Sequence, residues 1–153
     1  MIRPLDPETD AAACDAIVAS LPEWFGLDVG IRQCASAVRS QPGLVAEVDG
    51  AVAGFLTLAR PYPGTPEISW LAVHARHRRR GLGRALIVAL NDQLRTRGDR
   101  LVLVKTLSDR TDPGPEYAET RAFYLAMGFL PVAELDVDPP DPENPIQLLA
   151  LPL

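Results

Sequence analysis

Several common signatures are missing from this chain. It has two cysteines, Cys14 and Cys34. Two thiols make neither a disulfide framework nor, alone, a metal site. Both fall in helix-like segments and read as structural residues, because free cysteine behaves mostly as a small hydrophobe. No apolar run approaches the ~20 residues that cross a bilayer. The opening Met1-Ile2-Arg3-Pro4-Leu5-Asp6 has no apolar h-region of a secretory signal. The expectation is a cytoplasmic protein with no membrane partner. Positive charge is not in excess either: 15 Lys and Arg face 20 Asp and Glu, a net charge of −5. Nonspecific nucleic-acid binding uses a broad basic face, so the balance argues against a nucleic-acid partner.

What is present reads as one ordinary domain over residues 1–153. Apolar content is 47 % and charged content 23 %, usual for a globular chain of this size. Ile2 to Leu5 reads as a short strand and Glu8 to Leu21 as a helix, with Ala13, Ile17 and Leu21 on one face. Pro22 to Gly26 breaks it and carries two aromatics, Trp24 and Phe25. A second helix is predicted from Val29 to about Arg39, ended by Pro42-Gly43. Leu44 to Val48 and Ala51 to Ala59 flank Asp49-Gly50, a two-residue hairpin signal. After a Pro61–Gly64 turn, Glu67 to Val73 is the next strand.

Leu82 to Arg97 is the strongest helix, with Leu82, Leu86, Ala89, Leu90 and Leu94 on one face and Gly98 as its C-terminal stop. Leu101 to Val104 is continuously apolar, as a strand buried on both sides would be. A polar loop begins at Ser108 and leads to a short helix from about Tyr117 to Met127. Leu130 to Val137 and Ile146 to Leu151 read as closing strands, linked by a proline-rich stretch, Pro139 to Pro145. The last strand is apolar enough either to finish the sheet or to pair across a homodimer. The order gives an α/β (mixed α+β) fold around one sheet of about seven strands, with helices on both faces.

The most informative stretch joins the strand ending at Val73 to the helix starting at Leu82. It holds Gly81, Gly83 and five arginines between Arg76 and Arg84. The first N–H groups of a helix lack internal partners, and the helix dipole favours negative charge there. A basic cluster on an acidic chain suits capture of a small polyanion. It is not a Rossmann fingerprint, because position 86 is Leu where a third glycine would stand, and no Gly-Lys-Ser/Thr makes it a P-loop.

Glu67-Ile-Ser-Trp-Leu-Ala-Val73, followed by Arg78-x-x-Gly81-x-Gly83 opening a helix, resembles the acetyl-CoA motif of the GNAT (Gcn5-related N-acetyltransferase) superfamily. Downstream, Thr120-Arg-Ala-Phe-Tyr124-Leu-Ala-Met-Gly128-Phe129 is similar to the family's late helix and the strand after it. The first sixty residues match in pattern only. The resemblance implies a GNAT-like acyl-CoA N-acyltransferase fold. It also implies acetyl-CoA as cosubstrate without a metal, and an acceptor that is a small-molecule amine or a protein amino group. It places the pyrophosphate on the backbone of Arg79, Arg80, Gly81, Leu82, Gly83 and Arg84, with Arg78, Arg79 and Arg80 near phosphate oxygens. The pantetheine arm falls along Leu71, Ala72 and Val73.

Chemistry sets the remaining demands. A lysine-like amine has a pKa near ~10.4 and an α-amino group near ~8. Only the neutral amine attacks a thioester, so a base is useful. Glu67 is the candidate base, the alternative being a charge facing solvent at a strand end. Alternation puts it on one face with Ser69, Leu71 and Val73. By the resemblance, Tyr124 is the donor that helps the CoA thiolate leave, unless it packs under the sheet. Tyr117, two turns earlier on the same helical face, is the second choice. Where many relatives carry an asparagine after the next strand, this chain has Lys105-Thr106-Leu107-Ser108. No Asn is carried over, and Thr106 or Ser108 is a weak substitute. The following loop is placed to cover the site. Trp24 and Phe25 either wall the acceptor pocket or plug the core. His74 and His77 read as loop residues. The rival reading is a non-catalytic acyl-CoA sensor of the same fold, against which Glu67 and Tyr124 argue.

Overall fold

The computed structural model describes residues 1–111, 113–135 and 144–153. Its elements follow the predicted order: β1 (Ile2–Pro4), α1 (Pro7–Ala19), α2 (Asp28–Ser40), β2 (Gly43–Val48), β3 (Ala51–Tyr62), β4 (Thr65–Val73), α3 (Leu82–Arg97), β5 (Leu101–Leu107), α4 (Pro115–Ala126), β6 (Leu130–Leu135) and β7 (Ile146–Pro152). The end of the sixth predicted strand, 136–137, and most of the proline-rich link, 139–143, lie outside the described residues. Helix α1 is started by Asp6, whose carboxylate accepts from the Glu8 N–H, and by Pro7 in its first turn, where a missing N–H costs nothing. Asp49 and Gly50 both have positive φ, as the tight turn between β2 and β3 requires. Helix α4 begins two residues earlier than the apolar pattern suggests, because Pro115 occupies its first turn and Pro there is preorganised.

Seven strands form one sheet in the order β1-β2-β3-β4-β5-β7-β6. Every pairing is antiparallel except β4 with β5, which α3 connects as the crossover parallel neighbours need. Strand β7 lies between β5 and β6, so both its edges are taken. It is an interior strand of the sheet, and the outer edge on that side belongs to β6. The free edge beyond it, β6, carries Pro131 and a register irregularity between Pro131 and Ala133, two features that blunt an edge against further pairing.

Two apolar clusters sandwich the sheet. One gathers Leu86, Ile87, Leu90 and Leu94 of α3 with Tyr124 and Phe129 against Leu56, Ile68, Val102, Val104 and Leu149. The other packs Cys14, Ile17 and Val18 of α1 and Cys34 and Val38 of α2 on Val45, Phe55 and Ala72. Both cysteines are free and buried. Helices α1 and α2 lie chiefly against β3 and β4. Strand β5 alternates instead of being buried on both faces. Val102, Val104 and Thr106 are buried, while Leu101 and Lys105 are exposed. That uncovered face matters for the site.

Candidate active site

The parallel pair at the centre of the sheet is short. β4 and β5 meet at only two positions, Glu67↔Leu103 and Ile68↔Val104. Beyond them the strands part, and the β5-facing edge of β4 from Ser69 to Val73 has no strand partner among the described residues. A bulge helps to part them. Thr57 faces Trp70 and Leu58 faces Ile68, so Ser69 is an extra residue on β4. Bulges bend a strand and increase its twist. The Ser69 hydroxyl donates to Gln41 Oε1, so its bond to the Thr57 hydroxyl, 2.7 Å, has Thr57 as the donor. Gln41 follows α2 directly, which pins the bulge to the α1–α2 layer.

The bulge also overturns simple alternation. Ile68 and Leu71 belong to the α3 cluster, whereas Trp70 and Ala72 belong to the α1–α2 cluster. Glu67, opposite Ala59 and one residue before Ile68, lies on the α1–α2 side with Ser69. It does not share a face with Leu71 and Val73 as period two predicts. Its carboxylate is not a free charge in solvent: the residue is 8 % exposed and Oε1 lies 3.3 Å from Lys105 Nζ.

At its other end β4 runs into the glycine–arginine turn. His77 N–H donates to His74 O, and Ala85 N–H donates to Gly81 O at 2.9 Å. Between them, the N–H groups of Leu82, Gly83 and Arg84 open α3 ahead of its first internal bond and have no intrahelical partner. Gly81 precedes α3 in the left-handed region, with no side-chain cap and nothing within 4 Å of where a Cβ would stand. Arg79 has φ of 61°, which for a non-glycine residue is strained. The turn thus fits an anionic phosphate group: open donors, an open glycine and a helix N-terminus. Gly83 differs. A Cβ there would stand 3.2 Å from Phe123 Cζ, so this glycine is set by contact with α4 and not only by clearance for a ligand.

Helix α4 closes the cleft from the opposite side. Glu119 Oε1 pairs with Arg78 at 3.1 Å and Arg79 at 3.3 Å. The Arg78 guanidinium also lies 4.2 Å from the Trp24 ring centre, a cation–π contact. Trp24 Nε1 donates to Glu116 O and Thr120 Oγ1, and Tyr117 OH donates to Trp24 O at 3.1 Å. A cleft of about 360 Å³ is lined by Glu23, Trp24, Arg78, Pro115, Glu116 and Glu119. Tyr124 lies deeper, 6 % exposed, with Phe123 and Phe129 rings against it. Burial raises its pKa, and that of Tyr117, above the ordinary phenol value.

The family model of the acetyltransferase (GNAT) domain matches residues 39–131, more than half of the chain. The chain belongs to the GNAT acetyltransferase family. No curated protein matches it. Among solved structures, a protein described as a GNAT-family acetyltransferase from Desulfovibrio desulfuricans superposes with a TM-score of 0.82. It has 24 % identity and covers 99 % of this chain and 98 % of its own. The ribosomal-protein-S18-alanine N-acetyltransferase of Escherichia coli gives 0.75 at 21 % identity, over 99 % of this chain and 92 % of its own. An aminoglycoside 6'-N-acetyltransferase complexed with coenzyme A gives 0.73 at 16 % identity, over 99 % and 96 %.

In this GNAT domain, Trp24 and Phe25 precede the matched region. Both pack against the α1–α2 core; Trp24 also lines the cleft, whereas Phe25 stacks on Trp70 at 5.8 Å. The loop after β5 is drawn toward the β6–β7 end: Ser108 N–H donates to Pro145 O and Arg110 Nε lies 3.0 Å from Glu134. Sequence reasoning missed Glu119, Glu116, Thr120 and Lys105. Each meets its partner from 38 or more residues away in the chain, so local spacing carried no signal of them. Among the described residues no group of three or more His, Cys, Asp or Glu could hold a metal, and no helix is long and apolar enough to cross a membrane.

Proposed function

We propose that this acetyltransferase moves an acetyl group from acetyl-CoA directly to a primary amine, with Glu67 and Tyr124 as its catalytic residues. The observation that carries the reading is the parting of β4 from β5, with Glu67 at the apex and the open N–H turn at the far end. Bound acetyl-CoA supplies an activated acyl group on a thiolate leaving group. The turn from Arg78 to Arg84, through Gly81, Leu82 and Gly83, holds the pyrophosphate with backbone N–H groups and guanidinium charge. The unpaired edge at Leu71, Ala72 and Val73 orients the arm and offers N–H to the carbonyl. Glu67 takes the proton of the acceptor, directly or through water. Tyr124, kept neutral by burial, donates a hydrogen bond to the departing sulfur; its raised pKa makes it a better donor than proton source.

Glu23 and Glu116 at the cleft, where Glu119 is already paired with Arg78 and Arg79, favour a cationic acceptor. Trp24 walls that side. The solved neighbours include enzymes named for an aminoglycoside and for a ribosomal-protein alanine, so a small amine and a protein amino group are both suitable classes. The cytoplasm supplies the donor and keeps Cys14 and Cys34 reduced. The test is thiol release from acetyl-CoA across an amine panel that includes aminoglycosides and N-terminal peptides. Glu67→Gln is expected to lower kcat by ~10²-fold or more, and Tyr124→Phe to lower kcat with little change in KM. Wild type that binds CoA yet turns over no amine would favour the sensor reading. Tyr124→Phe as fast as wild type would remove that residue from the mechanism.

A further inference from the structure

Lys105 is the only lysine in the chain; every other basic side chain, histidines aside, is arginine. It stands on β5 one residue past the last paired position, Ile68↔Val104, where the two strands part. It lies on the exposed face of β5, with 48 % of its side chain exposed, and its Nζ is 3.3 Å from Oε1 of the nearly buried Glu67. An ion pair serving only to tie the strands could use arginine, the cation of every other pair among the described residues. Arginine keeps its proton at all ordinary pH and cannot act as a nucleophile, whereas a lysine amine can. The chain's only lysine amine therefore stands beside the carboxylate that the mechanism assigns to the acceptor's proton.

The edge of β4 from Val73 back to Ser69 spans roughly 13 Å at strand rise. It leads from the phosphate-binding turn to the apex beside Lys105. An arm laid along that edge brings its acyl end to the apex. From this geometry we infer that Lys105 is an acetylation site of the protein's own reaction, an acceptor built in where β4 and β5 part. The inference rests on the acetyl-transfer reading above. Glu67 takes a proton from the Lys105 ammonium. The Nζ lone pair forms a C–N bond to the acetyl carbonyl carbon as the C–S bond breaks, and the electron pair leaves with sulfur. The acylated nitrogen gives up its second proton to the departing thiolate, while the proton on Glu67 passes to water. The products are N-acetyl-lysine at position 105 and free CoA. The acetylated side chain carries no charge, so its ion pair with Glu67 is lost.

The test incubates the purified chain with acetyl-CoA and no added amine, and follows intact mass and peptide maps. The expected result is one acetyl group on Lys105, added at a rate per chain that does not depend on protein concentration. Glu67→Gln should slow it at least tenfold. A check that needs no variant is competition: excess CoA should slow labelling of the wild-type chain. Equal labelling of the folded and the urea-unfolded chain would overturn the inference. So would label at the Met1 amine, which donates to Glu47 O at 3.1 Å, in place of Lys105. If an added amine is acetylated with thiol release while Lys105 stays unmodified, this inference fails and the acetyltransferase reading stands. If CoA does not bind and no amine is acetylated, both fail.

Discussion

Gly81 and Gly83 are two residues apart and are glycines for different reasons. Gly81 has φ of +78° with open space around it, so a side chain there strains the backbone without touching anything. Gly83→Ala puts a methyl 3.2 Å from the Phe123 ring, a contact that α4 must yield to. Gly81→Ala is expected to cost about 1–2 kcal/mol of stability. Gly83→Ala should cost about 1 kcal/mol by overpacking and shift the Phe123 ring resonances. Urea denaturation and NMR of the aromatic side chains would check both. A Gly83 variant that lost CoA affinity would thus not isolate the phosphate cradle, whereas Gly81 is clear of α4. The motif was legible in the sequence at both positions. The division of labour was not, because Phe123 is 40 residues away.

At the scale of elements, the basic turn and α4 are held together by one carboxylate. Glu119 accepts from both Arg78 and Arg79, so it offsets charge where an incoming phosphate needs it. Glu119→Gln should tighten CoA binding by ~2–5-fold, the size of a partly exposed pair. The gain should shrink as salt rises. Calorimetric titration at two ionic strengths measures both. The helices and the hairpin were legible because apolar period, caps and turn residues are local. Strand β4 was legible as a strand, yet its phase was not. The bulge at Ser69 arises from pairing with β3 and from Gln41, and it turned Glu67 away from the face that alternation predicted. In the same way the apolar run at Leu101 to Val104 did not reveal that α1 and α2 lie chiefly against β3 and β4.

Across the whole molecule, pH dependence follows from a few buried groups. Arg3 binds both oxygens of buried Asp10, at 2.8 and 2.9 Å, and this holds the Asp10 carboxyl below its ordinary range. The unfolded group returns to near ~3.9. Its contribution is therefore present above that pH and lost as pH falls through the lower folded value. Asp10→Asn should cost about 3 kcal/mol at neutral pH, the low end for a broken buried pair since Arg3 stays one-third exposed. It should also flatten the acid limb of stability measured by urea. The thiols act at the other limb. Burial pushes Cys14 and Cys34 up to about 12, against ~8.5 unfolded. Their contribution is full below ~8.5 and is lost as pH rises toward the folded value. Thermal melts from neutral to alkaline pH should fall less steeply in Cys34→Ala than in wild type.

The sequence by itself determined the order of elements, the glycine–arginine turn and the family resemblance, since each is written in residues close together along the chain. Only the tertiary structure decided where β4 and β5 part, that Glu119 holds the basic turn, and that Lys105 meets Glu67. Those contacts depend on strand pairing and layer coverage between distant segments. Side-chain spacing along one strand or helix does not encode which segment will lie beside it.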